Sequence, residues 1–476
     1  MWRSILFVKL IASLGPSSKE LDIIDRMIRA GTSGFRINFA HGFPDEWEKM
    51  VNNVRTAESS IGKAVALIGD LQGPSVRVGK LHKPLLLKRG EIARIILSSE
   101  SEGGEKKSIP IPVEKFFETA DVGDLLVMDD GKVRLHIVDK RGSDELEVVS
   151  LTNAVITTRK AVVIQGKDLD LPTLSMQDLE NLKFAINHDF DYIALSYVRK
   201  AEDIELLRET LRRFGKEDIG IIAKIETRSA IHNLSDIIDV SDVILIARGD
   251  LGMNFSLEEV HRYQKYIADK CLELGKPVIV ATQLLESMIE NPVPTRAEVV
   301  DISVAVEQGV DALMLTGETS IGKYPVEAIS WLYRITSYAE KHLLKKSIER
   351  IISKARTNTM DLPTRFAKGV LELAEDIGAK LLVFSMHGNT ARRLSILKPM
   401  IPVYVATPNI KVMRRLAILW GIKAFKVEAS NYEEGLEKAL QRARELNLIN
   451  YGDITVATYG LREPKQRIEI FRLEPQ

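Results

Sequence analysis

Residues 6–42 read LFVKLIASLGPSSKELDIIDRMIRAGTSGFRINFAHG, and this stretch contains the unit from which the fold is predicted. A short apolar run at residues 6–13 is followed by a segment with helical periodicity at 18–30, which ends at Gly31. A second apolar run, residues 34–39, comes directly after it. Strands that alternate with helices form parallel sheets, because each helix returns the chain to the same edge of the sheet. The stretch therefore predicts a βα unit.

Six further apolar runs continue this alternation. They predict strands at residues 64–70, 192–196, 220–225, 243–247, 278–281 and 312–315. Helical periodicity lies between and after them at residues 47–54, 175–187, 202–213, 257–274, 296–308 and 325–344. Eight strands, each followed by a helical segment, fit an α/β protein with a TIM-type βα barrel of roughly 250 residues. An open, doubly wound parallel sheet is the alternative that the alternation by itself leaves open.

A segment of different character interrupts this pattern at residues 73–163. Val133, Leu135 and Ile137 alternate with polar residues, and a turn follows at residues 141–144. Alternation with a period of two indicates strands with one buried face, so the segment predicts a small β-barrel domain. Because it leaves the barrel after the third strand, where barrel enzymes carry their active site, we expect it to act as a lid.

A third domain is predicted after the last barrel helix. Apolar runs at residues 380–384, 402–406, 424–427 and 454–457 are interpreted as strands with helices between them. This pattern is typical of a three-layer α/β domain. The predicted organisation is a catalytic barrel at residues 1–72 and 164–346, a lid at 73–163 and a C-terminal regulatory domain at 347–476.

The composition indicates a soluble enzyme of several domains. The chain has 476 residues, and its 66 basic residues balance its 66 acidic ones, which argues against a nucleic-acid or polybasic membrane protein. Its single cysteine, Cys271, excludes a disulfide framework and a cysteine-based zinc site, and we expect it to be buried and inert. No apolar run is long enough for a membrane helix or arranged as a secretory signal. We therefore expect a cytoplasmic protein without nucleic-acid or membrane partners.

Polar residues cluster where the predicted barrel strands end, and the ends of all strands in such a barrel meet at one mouth. They are Arg36, Asn38 and His41 after the second strand, Asp70 after the third, Lys224 and Glu226 after the fifth, Arg248, Gly249 and Asp250 after the sixth, Thr282 after the seventh, and Thr316 and Glu318 after the eighth. The carboxylates of Glu226 and Asp250 suit a hard cation such as Mg²⁺, which keeps coordination positions open for substrate. The cations Arg36, Arg77 and Lys224 suit a phosphoryl group, whose transfer depends on charge compensation.

These groups also have purely structural interpretations. Lys224 and Glu226 face the same side of one strand and could form an ion pair. Residues 248–250 fit a turn, and Thr282 fits the cap of a helix that begins near Gln283. Charged residues at several strand ends are costly unless they are paired or bound, and their joint placement favours a functional site.

The strings at these strand ends resemble those of pyruvate kinases. The matching strings are FRINFAHG at residues 35–42, DLQGP at 70–74, KIE at 224–226, ARGDLG at 247–252, ATQLLESM at 281–288, PTRAE at 294–298 and LTGET at 315–319. They occur in the family's order, and the resemblance covers nearly the whole chain. It implies transfer of the phosphoryl group from phosphoenolpyruvate to ADP, giving pyruvate and ATP in the final step of glycolysis.

The resemblance also implies roles for the matching residues. Lys224 and Arg36 match residues that contact the transferring phosphoryl group. Glu226 and Asp250 match the ligands of the divalent ion, Mg²⁺ with Mn²⁺ as a substitute, and a second Mg²⁺ is expected to arrive with ADP.

The remaining matches concern the two substrates. The pocket for the pyruvate carboxylate matches Ala247, Arg248, Gly249, Asp250, Thr282 and Thr316. Thr282 also lies near the enolate carbon and is a candidate for the route by which a proton reaches it. His41 and Arg77 match residues near the nucleotide phosphates.

The chain departs from the resemblance at the site for a monovalent ion. Many relatives bind K⁺ through residues that match Asn38 and Asp70 and through a serine hydroxyl, where this chain has Ala40. Ser75 stands where the K⁺-dependent members carry a glutamate. We therefore expect little or no K⁺ dependence.

A second candidate site lies in the C-terminal domain. Ser385, His387, Gly388, Asn389 and Thr390 follow a predicted strand and open a helix, where backbone N–H groups and hydroxyls favour an anion. The segment resembles the loop that binds the phosphate of sugar-phosphate activators in regulated family members, which implies a phosphorylated effector and allosteric regulation. An ordinary turn without a ligand is the alternative. The family is typically a homotetramer, so the resemblance also implies that state.

Two competing functions remain open at this stage. A barrel aldolase or lyase of the phosphoenolpyruvate type would use the same carboxylate pair without ADP, but it needs no lid over a nucleotide. A non-catalytic regulator that retains the fold is disfavoured by the complete set of Lys224, Glu226, Asp250 and Thr282. Turnover that depends on ADP separates the three.

Overall fold

Eight parallel strands close into a barrel in this computed structural model, which describes residues 6–101, 107–357, 361–461 and 466–473. The first three βα units contain β1 (Lys9–Ser13), α1 (Leu21–Ala30), β2 (Gly34–Asn38), α2 (Pro44–Ile61) and β3 (Ala66–Asp70). The predicted strand at residues 6–13 is thus shorter than expected, and the helix predicted from residue 18 begins at Leu21. Gly31 ends α1 with φ at 134°, a conformation that residues with a side chain rarely adopt.

The segment between β3 and the next barrel strand folds separately from the barrel. Its elements are β4 (Leu85–Leu87), β5 (Ile92–Ile96), β6 (Ser108–Pro110), α3 (Glu114–Thr119), β7 (Leu125–Met128), β8 (Val133–Arg141), β9 (Glu145–Ser150), β10 (Ala154–Ile156) and β11 (Val162–Ile164). Six strands form one curled sheet in the order β11-β7-β8-β9-β5-β6, and β10 pairs with β4. The alternation in β8 buries Val133, Leu135 and Ile137 as predicted.

The chain then returns to complete the barrel. The elements are α4 (Met176–Asn187), β12 (Tyr192–Leu195), α5 (Ala201–Arg213), β13 (Gly220–Ile225), α6 (Arg228–His232), α7 (Leu234–Val240), β14 (Val243–Ala247), α8 (Arg248–Asn254), α9 (Leu257–Glu273), β15 (Val278–Ala281), α10 (Arg296–Glu307), β16 (Ala312–Leu315), α11 (Gly317–Ser320) and α12 (Pro325–Lys341). The strand order is β1-β16-β15-β14-β13-β12-β3-β2, and β1 pairs with both β16 and β2. The closed barrel is confirmed, and the open doubly wound sheet is wrong.

The barrel strands are apolar on both faces, which is typical of parallel strands covered by helices. Leu10, Phe35 and Leu67 pack outward against the helices, whereas Ile11 and Ile68 fill the interior. The surrounding helices begin at defined caps. Ser175 and Asp178 form a reciprocal capping box at the start of α4, which satisfies two backbone N–H groups.

The C-terminal segment forms a second parallel sheet with one antiparallel edge strand. Its elements are α13 (Lys345–Thr357), α14 (Leu362–Asp376), β17 (Lys380–Phe384), α15 (Asn389–Ile396), β18 (Val403–Thr407), α16 (Ile410–Leu416), β19 (Ile422–Lys426), α17 (Tyr432–Glu445), β20 (Ile454–Thr458) and β21 (Ile468–Arg472). The order is β19-β18-β17-β20-β21. Helices α14, α15 and α16 cover one face and α17 the other, so the three-layer prediction is confirmed.

Buried ion pairs join this C-terminal sheet to the barrel. Lys398 Nζ lies 2.7 Å from Asp311 Oδ2, and both side chains are almost fully buried. Arg414 Nε donates to Glu58 Oε1 at 3.0 Å on the other side of the junction. The predicted limits of the three domains stay predictions. Within the described ranges, no helix combines the length and apolarity that crossing a bilayer needs.

Candidate active site

A cluster of buried charges occupies the mouth of the barrel, at the carboxyl ends of its strands. Lys224 Nζ, at the end of β13, donates to Ser196 Oγ at 2.7 Å and lies 3.5 Å from Glu226 Oε2 and 3.7 Å from Asp70 Oδ1. Arg36 Nε, on β2, donates to Asp70 Oδ2 at 2.6 Å. Two cations and two carboxylates thus meet in one enclosed space. Lys224 and Glu226 do form an ion pair, as one interpretation of the sequence predicts. The Lys224 ammonium also contacts Asp70 and Ser196, so the pair does not exclude a functional site.

The charges in this cluster shift each other's pKa values. Burial alone would lower the pKa of Lys224 and raise that of Asp70, but Coulombic attraction outweighs it in both cases. The pKa of Lys224 is therefore raised by Asp70 and Glu226, and the pKa of Asp70 is lowered by Lys224 and Arg36. Burial raises the pKa of Glu226 to about 8, only partly offset by Lys224. Glu226 is the carboxyl in the cluster that most needs another cation.

Glu226 is held by the backbone of a neighbouring strand end. The N–H of Tyr197 donates to Glu226 Oε1 at 2.6 Å, and Tyr197 adopts φ of 55°, a left-handed conformation that is rare for an aromatic residue. Glu226 Oε2 is buried and accepts no hydrogen bond. The charge of Asp250, in the first turn of α8, acts on Glu226 and Lys224. No group of three or more His, Cys, Asp or Glu residues suited to a metal occurs in the described part of the chain.

Thr282 lies in a strained loop that follows β15. Its Oγ1 accepts a hydrogen bond from the N–H of Gly249 at 2.8 Å. Thr282 and Gln283 have φ values of 70° and 51°. The interpretation of Thr282 as a helix cap is wrong, because the next α-helix, α10, begins only at Arg296. The loop instead packs beside the start of α8, to which Thr282 is hydrogen-bonded.

The side chain of Arg248 fixes this loop by hydrogen bonds to its backbone carbonyls. Its guanidinium donates to the carbonyl oxygen of Thr282 at 2.8 Å and to that of Gln283 at 2.7 Å, and Nη1 donates to Asp301 Oδ2 at 2.6 Å. These hydrogen bonds use the donors of the buried Arg248 side chain within the protein. The carboxylate pocket that the resemblance implies at Ala247 to Asp250 stays a prediction, and it would have to use the backbone there rather than the Arg248 side chain.

Glu318 fixes the end of the eighth strand. Its Oε2 accepts from the N–H of Thr316 at 2.7 Å, and its Oε1 accepts from the N–H of Leu285 at 3.0 Å. Glu318 is buried, so both of its oxygens are used to join two loops of the mouth. Thr316 is therefore placed beside the loop that carries Thr282.

Three arginines, Arg36, Arg77 and Arg159, surround His41 on the side of the mouth nearest to the inserted domain. Arg77 Nε donates to Ser75 Oγ at 3.1 Å, and Arg77 Nη1 donates to the carbonyl of Arg159 at 2.9 Å. Burial lowers the pKa of His41, and the charges of Arg77, Arg36 and Arg159 lower it further. The three arginines around His41 form a positive region that suits an anion. The inserted domain also contacts the barrel here, since Val127 and Val163 pack on Met253 of α8.

The residues considered for a monovalent ion are engaged within the protein. Asn38 Oδ1 accepts from the N–H of Ala40 at 3.1 Å. Both oxygens of Asp70 face a cation, with Arg36 on one side and Lys224 on the other.

The candidate effector residues lie in the turn after β17 and in the first turn of α15, in the C-terminal domain. Ser385 Oγ accepts from the N–H of Gly388 at 3.1 Å, and Gly388 has φ of 77°. The Thr390 side chain packs tightly against Gly460, where an added Cβ would lie 2.2 Å from Thr390 Oγ1. His387 and Asn389 are exposed.

Four residues of the site were not identified from the sequence. Ser196 binds Lys224, Tyr197 binds Glu226, Asp301 binds Arg248, and Asn254 Nδ2 donates to the carbonyl of Glu226 at 2.7 Å. Ser196 carried a usable signal, because it is the polar residue at the end of the fourth predicted strand. Tyr197 acts through its backbone N–H, and Asp301 and Asn254 lie on helices, so a search for polar side chains at strand ends does not find them.

Comparisons with known proteins agree along the whole chain. A family model described as "Pyruvate kinase, barrel domain" matches residues 6–329, and one described as "Pyruvate kinase, alpha/beta domain" matches residues 365–470. The curated pyruvate kinase of Pyrobaculum aerophilum is 40% identical over 467 residues, with 95% of this chain and 94% of that protein covered. Pyruvate kinase from Aeropyrum pernix is also 40% identical, with 94% of each chain covered.

Solved structures give the same result for the fold. The crystal structure of pyruvate kinase from Pyrobaculum aerophilum superposes with a TM-score of 0.87 at 38% identity and covers 98% of this chain and 100% of that one. A pyruvate kinase from Cryptosporidium parvum superposes with a TM-score of 0.89 at 31% identity, with 98% and 96% covered.

Proposed function

This chain belongs to the pyruvate kinase family of phosphotransferases, and from that premise we propose that it transfers the phosphoryl group of phosphoenolpyruvate to ADP, forming pyruvate and ATP in the last step of glycolysis. The observation that carries the proposal is the Lys224 ammonium, buried within 4 Å of Ser196, Asp70 and Glu226 at the barrel mouth. A cation held there, with Arg36 beside it, is placed to neutralise the charge of a phosphoryl group during transfer.

The donor set at the mouth fits a divalent cation. Glu226 Oε2 is a buried oxygen without a hydrogen-bond partner, and its raised pKa expresses the same lack of positive charge. With Asp250 it offers two carboxylates, which is the small number of protein ligands typical of Mg²⁺ sites that also bind phosphate. We propose that these two residues hold Mg²⁺, with Mn²⁺ as a substitute. When bound, the ion supplies positive charge to oxygens of the phosphate and the enolate.

The protein's own groups then divide the work between two parts of the substrate. Arg36 and Lys224 bind the phosphoryl group and keep its oxygens neutralised while the bond to the enolate oxygen breaks. The backbone from Ala247 to Asp250 binds the carboxylate and orients the substrate. The Thr282 hydroxyl accepts from the N–H of Gly249, so it keeps its own proton to donate. That proton is available to the route that ends at the enolate carbon.

His41 and Arg77 are proposed to bind the phosphates of ADP. They lie where the inserted domain meets the barrel: Arg77 and its partner Arg159 belong to the inserted segment, and Arg159 Nη2 donates to the carbonyl of Ala40, beside His41, at 3.3 Å. An anion bound between them draws the inserted domain over the mouth. Closure excludes water, which would otherwise accept the phosphoryl group in place of ADP.

We propose that the reaction has little or no dependence on K⁺. Ala40 removes one oxygen ligand that K⁺-dependent relatives provide, Ser75 removes the negative charge of their glutamate, and the amide oxygen of Asn38 already accepts from the N–H of Ala40. Arg36 also pairs directly with Asp70 and supplies positive charge where the monovalent ion would lie.

We further propose that a phosphorylated effector binds at Ser385, His387, Gly388, Asn389 and Thr390, and that the chain forms homotetramers. The loop supports the effector because Ser385 and the start of α15 present hydroxyl and N–H groups together. Replacing Ser385 and Thr390 by alanine should abolish activation by sugar phosphates and leave basal turnover unchanged. Unchanged activation would remove this loop from the proposal. Sedimentation of the full chain gives its oligomeric state.

The first experiment measures pyruvate from phosphoenolpyruvate and Mg²⁺, with and without ADP, for the wild type and for Lys224→Met. We expect pyruvate only with ADP, ATP in equal amount, and loss of both in the variant. Lys183→Met removes an exposed helix lysine and serves as the control that keeps activity. Pyruvate formed without ADP would indicate a lyase, and no turnover with K⁺ and sugar phosphates present would indicate a regulator.

A further inference from the structure

The inserted domain rejoins the barrel through residues 165–175, which lie between β11 and α4 and are called the return segment below. Lys167 ties this segment to the inserted domain, because its ammonium lies 2.6 Å from Asp121 Oδ2 and 2.7 Å from Asp124 Oδ2. The same ammonium donates to the carbonyl of Thr119 at 3.1 Å. All three acceptors belong to the inserted segment, so the first part of the return segment is anchored on that side.

The next part of the return segment is anchored to the barrel by Arg199. Its Nη1 donates to the carbonyl of Leu169 at 2.8 Å, and its Nη2 donates to the carbonyl of Leu171 at 2.7 Å. Asp203, in the first turn of α5, accepts from Thr173 Oγ1 at 2.5 Å and from the backbone N–H of Arg199 at 2.8 Å. The side chains of Arg199 and Asp203 are only 14% and 3% exposed, and burial strengthens these hydrogen bonds.

The change from one anchor to the other falls between Lys167 and Leu169. A cavity of about 40 Å³ lies at this point, and its walls come from the return segment, from the inserted domain and from the barrel, where Tyr197 and Arg199 contribute. The buried Nε of Arg199 has no hydrogen-bond partner among the described residues. Incomplete packing and an unused donor leave this junction able to shift when the inserted domain moves.

Arg199 is also part of a turn that holds two active-site groups. The turn comprises residues 196–199 and follows β12. Three hydrogen bonds join it to residues 224–227 at the end of β13: Lys224 Nζ donates to Ser196 Oγ at 2.7 Å, the N–H of Tyr197 donates to Glu226 Oε1 at 2.6 Å, and Thr227 Oγ1 donates to the carbonyl of Val198 at 3.0 Å. Tyr197 has φ of 55°, a conformation that persists only where surrounding contacts hold it. The hydrogen bonds of Arg199, two residues later, are among those contacts.

We propose that Arg199 is a positioning residue for phosphoryl transfer, because it fixes the return segment to the turn and thereby places the two active-site groups that the turn holds. The inference rests on the proposed function, which assigns Lys224 to the phosphoryl group and Glu226 to the divalent ion. Arg199 contacts neither of them directly and acts through the turn.

The same contacts connect the position of the inserted domain to the active site. A movement of that domain displaces the return segment, and Arg199 transfers the displacement from the carbonyls of Leu169 and Leu171 to the turn. Because Glu226 Oε1 depends on the N–H of Tyr197, the other oxygen of Glu226 changes position with the turn. The affinity of Glu226 for a divalent ion is therefore expected to depend on Arg199, as metal affinity depends on the outer partners that orient a ligand.

Mn²⁺ binding to the full chain without substrates tests the proposal, measured by electron paramagnetic resonance of the free ion. We expect Arg199→Met to weaken binding by about tenfold. Arg199→Lys should fall between this variant and the wild type, because an ammonium lacks the planar fork that bonds both carbonyls. Arg208→Met is the matched control and should bind Mn²⁺ as the wild type does. Arg208 also lies on α5 and donates to the carbonyl of Val240 and to Asp242, but at the amino end of the barrel.

Steady-state kinetics provide a second readout for the same variants. Arg199→Met should lower kcat by about tenfold with a smaller effect on KM for phosphoenolpyruvate, because Lys224 keeps its charge and loses its exact position. Arg208→Met should keep the kcat of the wild type. An arginine that only stabilises the fold would lower the melting temperature of Arg199→Met and leave the kcat of the folded enzyme unchanged, which contradicts the proposal.

Glu226→Gln separates failure of this inference from failure of the proposed function. Absence of Mn²⁺ binding in the wild type, or unchanged binding in Glu226→Gln, overturns the proposed metal site and this inference with it. If Glu226→Gln loses binding but folded Arg199→Met keeps the affinity of the wild type, the inference alone is overturned.

Hydrogen exchange of the wild type avoids any effect of the variants on folding. Mass spectrometry follows the return segment and the turn at residues 196–199 on addition of ADP and Mg²⁺, with helix α17 of the C-terminal domain as the control. We expect exchange to slow in the return segment and in the turn together, and to stay unchanged in α17. Slower exchange in the return segment alone, or no change in either, contradicts the link through Arg199.

Discussion

The ammonium of Lys224 donates a hydrogen bond of 2.7 Å to the hydroxyl of Ser196, which in turn donates to the carbonyl of Leu71 at 2.8 Å. Lys224 is thereby tied to the end of β3, beside Asp70, although it comes from β13 two strands away in the barrel. The neutral side chain of Ser196 thus helps to set the position of the Lys224 ammonium, together with its charged partners Asp70 and Glu226.

Ser196→Ala should lower kcat by about tenfold, with a smaller effect on KM, because Lys224 keeps its charge but loses the group that orients it. Steady-state kinetics with phosphoenolpyruvate and ADP measure this. Ser303→Ala removes a serine hydroxyl that donates to the carbonyl of Val299 within helix α10, and it is the matched control. Equal kinetics in Ser196→Ala and the wild type would show that Asp70 and Glu226 position Lys224 without the serine.

Asp301→Ala should reduce kcat/KM for phosphoenolpyruvate by about tenfold, although Asp301 is proposed to touch neither substrate. Asp301 holds the Arg248 guanidinium, and Arg248 holds the carbonyls of Thr282 and Gln283 in their left-handed conformation. Without the carboxylate, the loop with the Thr282 hydroxyl is free to relax. Asp376→Ala, an exposed substitution on α14, should leave the kinetics unchanged. An unaffected Asp301→Ala enzyme would mean that the carbonyl bonds of Arg248 suffice.

Replacing KCl by tetramethylammonium chloride at constant ionic strength should change the rate by less than about twofold, because constant ionic strength leaves only specific ion binding to act. The physical reason is that Arg36 and Lys224 already face both oxygens of Asp70. Initial rates across the two salts measure the effect. A many-fold rise with KCl would overturn the proposal of K⁺ independence.

The stability difference between Lys9→Met and the wild type should depend on pH in a defined direction. The folded pKa of Lys9 is lowered to about 7 from 10.5, so between these values the unfolded chain binds a proton that the folded chain does not. The free energy of unfolding of the wild type therefore rises with pH across this window, and Lys9→Met lacks this contribution. Relative to the wild type, Lys9→Met should be most stable near pH 7 and lose that advantage, by about 1 kcal/mol or more, towards pH 10. Urea unfolding at several pH values measures the difference, and a difference that is independent of pH contradicts the lowered pKa.

Hydrophobic periodicity predicted the barrel because each βα unit repeats the same signal. The strands at residues 220–225, 243–247, 278–281 and 312–315 were located to the residue. The helix α8 was not predicted, since Arg248–Asn254 contains two glycines and reads as a turn. It forms because its side chains are fixed by tertiary contacts, with Arg248 bonded to a neighbouring loop and Met253 packed under the inserted domain.

The charged residues of the site were predictable from their position at strand ends, but the groups that orient them were not. Lys224 and Glu226 stand out because charge is costly at the end of a buried strand. Tyr197 and Asp301 give no such signal, because one acts through its backbone N–H and the other from a helix. The helix-cap interpretation of Thr282 failed for a related reason. A threonine after a strand resembles a cap in sequence, and only the positive φ of Thr282 and Gln283 shows that the chain turns away.

The pairing of β1 with β16 also governs how the chain can fold as it is synthesised. Ile11 lies opposite Met314, so the first strand waits for its partner until some 300 further residues have been made. At about 5–20 residues per second, this delay is roughly 15–60 s, during which an apolar strand edge stays open. In its described residues, the inserted segment pairs its strands only with one another and needs no such wait. A nascent chain should therefore contain a folded β domain on an unfinished barrel, and the ribosome-bound stage is when this protein most needs a chaperone.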